Sequence, residues 1–187
     1  MNPLHLIKKY YSQGSKSFHF LVEHSRLVTE ESLAIAKRFQ KKNPDLKLNL
    51  NLKFIKEAAM LHDIGIFKVN DPEICCTGTD PYIMHGVRGR EILEKEKLPK
   101  HALVCERHLS CGITKEEIIN KNLPLPPRDM SPINIEEQII SYADKFFSKF
   151  FGKLHEKKSI DEIRTDLKRF APHHIKQFEK WVDMFGE

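Results

Sequence analysis

The chain has 187 residues, 40% hydrophobic and 9% aromatic, which supplies one sizeable core and places it outside the intrinsically disordered class. A charged fraction of 30% with 8 Gly and 10 Pro excludes a collagen-like or low-complexity chain. The net charge of +5 would favour an anionic ligand, yet Lys and Arg are interleaved with Asp and Glu and form no nucleic-acid-binding motif, so no specific nucleic-acid partner is expected.

Apolar runs are short and broken by charge, and none approaches the roughly 20 residues that span a bilayer. Across Met1 to Tyr11, Lys8 and Lys9 follow the apolar residues instead of preceding them, the reverse of a secretory signal. A cytoplasmic protein without a membrane partner is the expectation. Cys75, Cys76, Cys105 and Cys111 include an adjacent pair but no C-x-x-C, so they are read as free thiols in a reducing compartment.

In chain order, Ser15 to Lys42 spaces Phe18, Leu21, Val22, Val28, Ile35 and Phe39 by threes and fours, as a helix with one buried stripe does, and Asn43-Pro44 ends it. Leu52 to Ile64 repeats the pattern, and Gly65 is placed to close it in a left-handed conformation. Asp71-Pro72 opens a short helical turn before the loop from Thr77 to Pro81. Helices are predicted from Met84 to Lys97 and from Pro99 to about Leu109. Thr114 with Glu117, and Ser159 with Glu162, have capping-box spacing and mark two further starts.

Four prolines between Leu123 and Asn134 forbid regular structure. Ile135 to Phe151 predicts a helix with Ile139, Ile140, Ala143, Phe146, Phe147 and Phe150 on its apolar side. The stretch from Ser159 to Glu187 reads as two helices split by Pro172. No segment alternates long enough for a strand, and the expectation is one all-α domain over residues 1–187, its C-terminal helices packed on a core of about residues 20–150.

Ten histidines stand out less by number than by position. His24 is flanked at helical spacing by Phe20, Leu21, Leu27 and Val28, so its imidazole leaves an apolar face. Asp144 shares a face with Ile140 and Phe147, where an unpaired carboxylate is costly and calls for a positive partner or a metal. His62 and Asp63 are adjacent at a helix end, where one ion can be reached by both. His85 and His108 border polar loops on two more helices. Five helices thus each offer a His or Asp to a shared centre.

The ordered set His24, His62-Asp63, His85, His108 and Asp144, with H-D-I-G at residues 62–65, resembles the HD superfamily of metal-dependent phosphohydrolases. The segments M-H-G-V-R-G-R-E-I-L, E-R-H-L-S-C-G-I-T-K-E-E, L-P-P-R-D and S-Y-A-D-K strengthen that resemblance over about residues 20–150. It implies a helical bundle in which His24, His62, Asp63 and Asp144 bind one divalent transition-metal ion. His85 and His108 would bind a second, with Asp63 bridging as the central catalytic carboxylate. Fe, Mn, Co, Ni or Zn suits such mixed ligation. The implied activity is hydrolysis of a small phosphorylated metabolite, a nucleotide or dinucleoside polyphosphate, by a bimetal-activated hydroxide.

Basic residues expected to contact phosphate are Arg88, one turn after His85; Arg128 on the proline-stiffened loop; Lys145 beside Asp144; and Lys68, which falls later than the basic residue that directly follows H-D-I-G in many relatives. Tyr82 is read as loop packing, and Gly112 as a source of freedom in the loop after His108. Two alternatives stay open: a di-iron oxygenase on the same ligands, and a non-catalytic ligand-sensing module with a structural metal.

Overall fold

The protein is represented by a computed structural model that describes residues 1–46, 49–149 and 151–186. Among these residues the chain forms helices α1 (Pro3–Tyr10), α2 (Lys16–Lys42), α3 (Leu52–Leu61), α4 (His85–Lys95), α5 (Pro99–Arg107), α6 (Lys115–Asn120), α7 (Ile135–Asp144), α8 (Ile160–Leu167) and α9 (Pro172–Phe185). The fold is all-α. Strands β1 (Asn70–Asp71) and β2 (Cys76–Thr77) form an antiparallel ladder of two residues each, too short to leave an alternating pattern in the sequence.

Local chemistry explains the helix starts. Ser15, Asn51, Thr114 and Asn134 accept hydrogen bonds from the backbone N–H three residues ahead, and Ser159 with Glu162 completes a reciprocal capping box. Each such cap contributes about 1 kcal/mol. Helix α1 adds to the expected elements: Asn2 caps it, Pro3 occupies its first turn, and Leu6 and Ile7 are buried.

Two boundaries differ from expectation. The helix begun at Ile135 ends at Asp144, well short of Phe151. Phe146 and Phe147 remain buried, but the chain turns there, and Phe147 pairs with Lys157 in an isolated antiparallel bridge. Phe150, placed on that helix by its spacing, lies outside the described residues. Helix α3 ends at Leu61, and Gly65 has φ −83° instead of a left-handed value. Glycine is needed there for space, since a Cβ would stand 2.2 Å from the His85 carbonyl oxygen and 2.4 Å from the Gly89 nitrogen.

Close backbone approach is what assembles the bundle. Gly86 meets the Cys105 carbonyl, and Gly89 packs on the Cys105 side chain, so α4 and α5 lie tightly together while Gly65 seats the turn after α3 on α4. Helix α2, about 40 Å long, packs against α3 and α7. It passes from one buried cluster, with Phe20, Leu21, Leu61 and Ile64, to another built by Val28, Ile35, Ile55, Ile140, Tyr142, Phe178 and Trp181. His24 lies between these two stretches of α2. Helix α9 contributes Phe178, Trp181 and Phe185 to the second cluster, and its indole N–H donates to Gln138.

Candidate metal centre

Each of the six His and Asp side chains singled out from the sequence sits where an element ends or crosses the core. His24 is mid-α2, its ring stacked on Phe20 at 5.9 Å and 5°. His62 caps the C-terminus of α3 with Asp63 next to it, His85 opens α4, His108 caps α5, and Asp144 is the last residue of α7. None is more than 4% exposed.

Their donor atoms converge in two overlapping sets. His24, His62, Asp63 and Asp144 each bring a ligand atom to within 4.8 Å of the others, and so do Asp63, His85 and His108. Asp63 belongs to both. His24 Nε2 is 3.1 Å from Asp144 Oδ1 and 3.4 Å from Asp63 Oδ2, while His62 Nε2 is 3.4 Å from Asp144 Oδ1. On the other side, Asp63 Oδ1 lies 3.2 Å from His85 Nε2 and 3.1 Å from His108 Nε2.

The backbone behind the rings determines what this cluster can hold. Nδ1 of His62, His85 and His108 lies 2.6–2.7 Å from the carbonyl oxygens of Ala59, Tyr82 and Cys105. A carbonyl only accepts, so the proton is on Nδ1 and each Nε2 turns a lone pair inward. Nε2 of His85 and Nε2 of His108 then face each other at 3.2 Å, acceptor to acceptor. His62 Nε2 is buried with no hydrogen-bond partner among the described residues. Inward lone pairs beside two carboxylates, backed by carbonyls that fix the tautomer, are the arrangement that divalent cations require. The residues fit the metal that the ligand set implies.

At Asp63 and His108 the electrostatics agree. Burial would raise the Asp63 carboxyl pKa, but the Lys149 ammonium and the surrounding imidazoles outweigh it and hold it well below the usual carboxylate range. Burial pushes the His108 imidazole down to about 3, so that ring is neutral and available as a ligand.

A family model for the HD domain matches residues 21–148. The chain belongs to the HD-domain family. An uncharacterized protein of Methanocaldococcus jannaschii is 35% identical over 164 residues, which are 86% of this chain and 76% of that protein. Two proteins named tRNA (cytidine(56)-2'-O)-methyltransferase also match. The one from Thermoplasma volcanium is 32% identical over 92% of this chain but only 44% of its own length. The one from Picrophilus torridus is 36% identical over 63% of this chain and 33% of its own length. No solved structure matches.

The HD centre opens on a cavity of about 580 Å³ lined by His85, His108, Asp144, Lys145, Lys149 and Tyr82, with Leu109, Ile113, Phe147 and Phe170 as apolar wall. Of the basic residues expected to contact phosphate, Lys145 is there, its ammonium 2.9 Å from Asp144 Oδ2. Arg88, Arg128 and Lys68 do not line it. Arg88 is forked onto Asp80, at 2.7 and 3.0 Å, and also onto Glu91. Arg128 is held by Glu106, which Arg90 also contacts, and Lys68 lies over the Phe67 ring at 5.1 Å. The loop carrying Gly112 is tied to the proline-rich loop by paired hydrogen bonds between Ile113 and Met130.

Sequence reasoning missed Lys149. Its ammonium is 2.9 and 2.8 Å from the two Asp63 oxygens and 3.9 Å from Asp144 Oδ1. Burial lowers its pKa, but Asp144 and Asp63 outweigh that and hold it above the ordinary lysine value. Lys149 follows Asp144 by five residues, a spacing that in a continued helix would put it elsewhere. The turn after α7 is what delivers it. Tyr82 packs its ring 4.5 Å from that of His85, and its buried hydroxyl has no hydrogen-bond partner among the described residues.

No helix among the described residues is long and apolar enough to cross a membrane.

Proposed function

We propose that this HD-domain protein is a metal-dependent phosphohydrolase whose substrate is a small phosphorylated metabolite of nucleotide or dinucleoside polyphosphate size. The observation that carries the reading is the double ligand set sharing Asp63, with the inward lone pairs of His85 and His108 at the floor of a cavity that Lys145 and Lys149 also line. Two divalent transition-metal ions on these ligands would supply Lewis acidity and a water acidic enough to attack phosphorus near neutral pH.

The chain's own residues supply the rest. Asp63 serves both ligand sets and is the residue on which the centre depends. Lys145 and Lys149 bring two ammonium groups to the cavity and bind the phosphoryl oxygens. The unpartnered Tyr82 hydroxyl offers a hydrogen bond to the bound ester. Leu109, Ile113 and Phe147 receive the organic part and keep bulk water from it. The methyltransferase name belongs to relatives of which this chain matches less than half, and it is not carried over.

The test is metal analysis joined to a phosphate-release screen. Purified protein is stripped, reloaded separately with Mn, Fe, Co, Ni and Zn, and offered nucleotides, dinucleoside polyphosphates, phosphosugars and tRNA bearing terminal phosphates. Metal-dependent phosphate release with two ions bound per chain is the expected result. Oxygen consumption by iron-loaded protein without phosphate release would replace the reading with an oxygenase, and ion binding without turnover would replace it with a sensing module.

A further inference from the structure

Another part of the cavity wall carries a hydrogen-bonded chain that the metal centre does not use. His174, the third residue of α9, is buried, and its Nδ1 lies 3.0 Å from the Ser110 hydroxyl oxygen. The backbone N–H of Cys111 also points at Nδ1, 3.4 Å away. A backbone amide only donates, so Nδ1 bears the lone pair and the ring proton is on Nε2. Nε2 faces the Glu117 carboxylate, 3.2 and 3.0 Å from its two oxygens.

Ser110, His174 and Glu117 thus stand in the order hydroxyl, base and buried acid. The carboxylate is anchored by the Lys121 ammonium at 2.8 Å and faced by His173 Nε2 at 3.2 Å. Ser110 is held at φ 50°, a left-handed seat that non-glycine residues occupy at a cost. All three residues line the cavity, where Leu109, Ile113, Leu167 and Phe170 are also exposed to a ligand. Burial lowers the His174 pKa, which leaves its ring neutral at pH 7.

We propose that Ser110 is an activated nucleophile, with His174 as its general base and Glu117 as the orienting acid, and that it takes the acyl group of a carboxylic ester with an apolar chain. The Ser110 Oγ–C bond forms as the hydroxyl proton passes to His174 Nδ1. The bond from carbonyl carbon to the leaving oxygen then breaks, and His174 returns the proton to that oxygen, leaving acyl-Ser110 and a free alcohol. Water adds to the acyl group with the same base, releasing the carboxylic acid and restoring the hydroxyl.

Glu117, His173 and His174 could also gather a cation. Zinc binding by the wild-type chain and by Glu117→Gln separates the two uses of this cluster.

The experiment uses the full chain, with and without chelator, incubated in separate samples with a fluorophosphonate probe, followed by intact-mass and peptide mapping, and with p-nitrophenyl butyrate. One phosphonyl adduct on Ser110, formed equally with and without chelator, is expected. Ser110→Ala loses the adduct and the ester hydrolysis, and His174→Gln slows labelling by about 100-fold or more, both with melting curves like wild type. Absence of the Ser110 adduct in folded wild-type protein overturns the proposal, whatever the variants do. A further bound equivalent of zinc that Glu117→Gln removes would also overturn it, assigning the cluster to a cation.

Discussion

One cavity is bordered by two histidine clusters that use the same residue types with opposite proton polarity. In the HD centre, carbonyl oxygens stand behind the rings of His62, His85 and His108, so protons point outward and lone pairs point in. At His174 a backbone N–H stands behind the ring, so the lone pair points back toward Ser110 and the proton faces Glu117. The first cluster leaves acceptors facing acceptors, an arrangement that suits a divalent cation; the second is satisfied internally. What separates a metal ligand from a relay histidine here is one backbone atom, carbonyl or amide.

The sharpest way to break this contrast is at Asp63. Because both ligand sets share its carboxylate, Asp63→Ala should abolish binding of both ions and reduce phosphate release by at least about a thousandfold, roughly 4 kcal/mol of transition-state stabilisation. His85→Ala or His108→Ala should lose one ion and retain the other. Metal analysis of the three proteins reads this directly. Equal loss in all of them would mean one undivided site.

Lys149 separates the two clusters by charge. Without bound ions its ammonium is the cation closest to the Asp63 carboxylate, so Lys149→Met should destabilise chelated protein by about 3–5 kcal/mol through uncompensated buried charge. Saturating Mn or Zn should restore most of that, since a ligand that binds only the folded state adds stability in proportion to its occupancy. Melting with and without chelator measures both. A destabilisation indifferent to metal would make Lys149 a packing residue.

Tyr82→Phe should have a smaller effect. The hydroxyl has no partner among the described residues, so its removal should not lower the melting temperature. If the bound ester takes that hydrogen bond, kcat should fall about tenfold with metal content unchanged. Unchanged kcat would return Tyr82 to the packing role read from the sequence.

Much of this molecule is visible in the sequence because its signals are local. Helix starts follow from single side chains such as Ser15, Asn51 and Ser159, and the ligands follow from an ordered motif now placed within the HD family. What stays hidden depends on contacts distant in sequence. The apolar spacing of Phe146 and Phe147 persists after the helix has ended, because burial continues while the backbone turns to pair with Lys157. Gly65 marks a steric contact with α4, which no φ-based rule reveals. Ser110 and His174 are 64 residues apart and share no motif, so the hydrogen bond between them appears only in three dimensions.

The smallest expected effects are at the arginines. The sequence points to Arg88 and Arg128 as phosphate contacts, and the loss of such a charged hydrogen bond would cost about 1.5–3 kcal/mol, or roughly 10- to 150-fold in kcat/KM. Their forks are instead filled by carboxylates away from the cavity, Asp80 and Glu91 for one and Glu106 for the other. Arg128 is 45% exposed, and Glu106 keeps Arg90 when Arg128 is removed. Arg128→Ala and Arg88→Ala should therefore each cost under about 1 kcal/mol of stability and leave kcat/KM within about twofold of wild type. Lys145→Ala, which removes an ammonium lining the cavity, should lower kcat/KM by the larger amount. A tenfold loss at Arg128 with normal activity at Lys145 would invert the assignment, placing the phosphate outside this cavity and against the proline-rich loop.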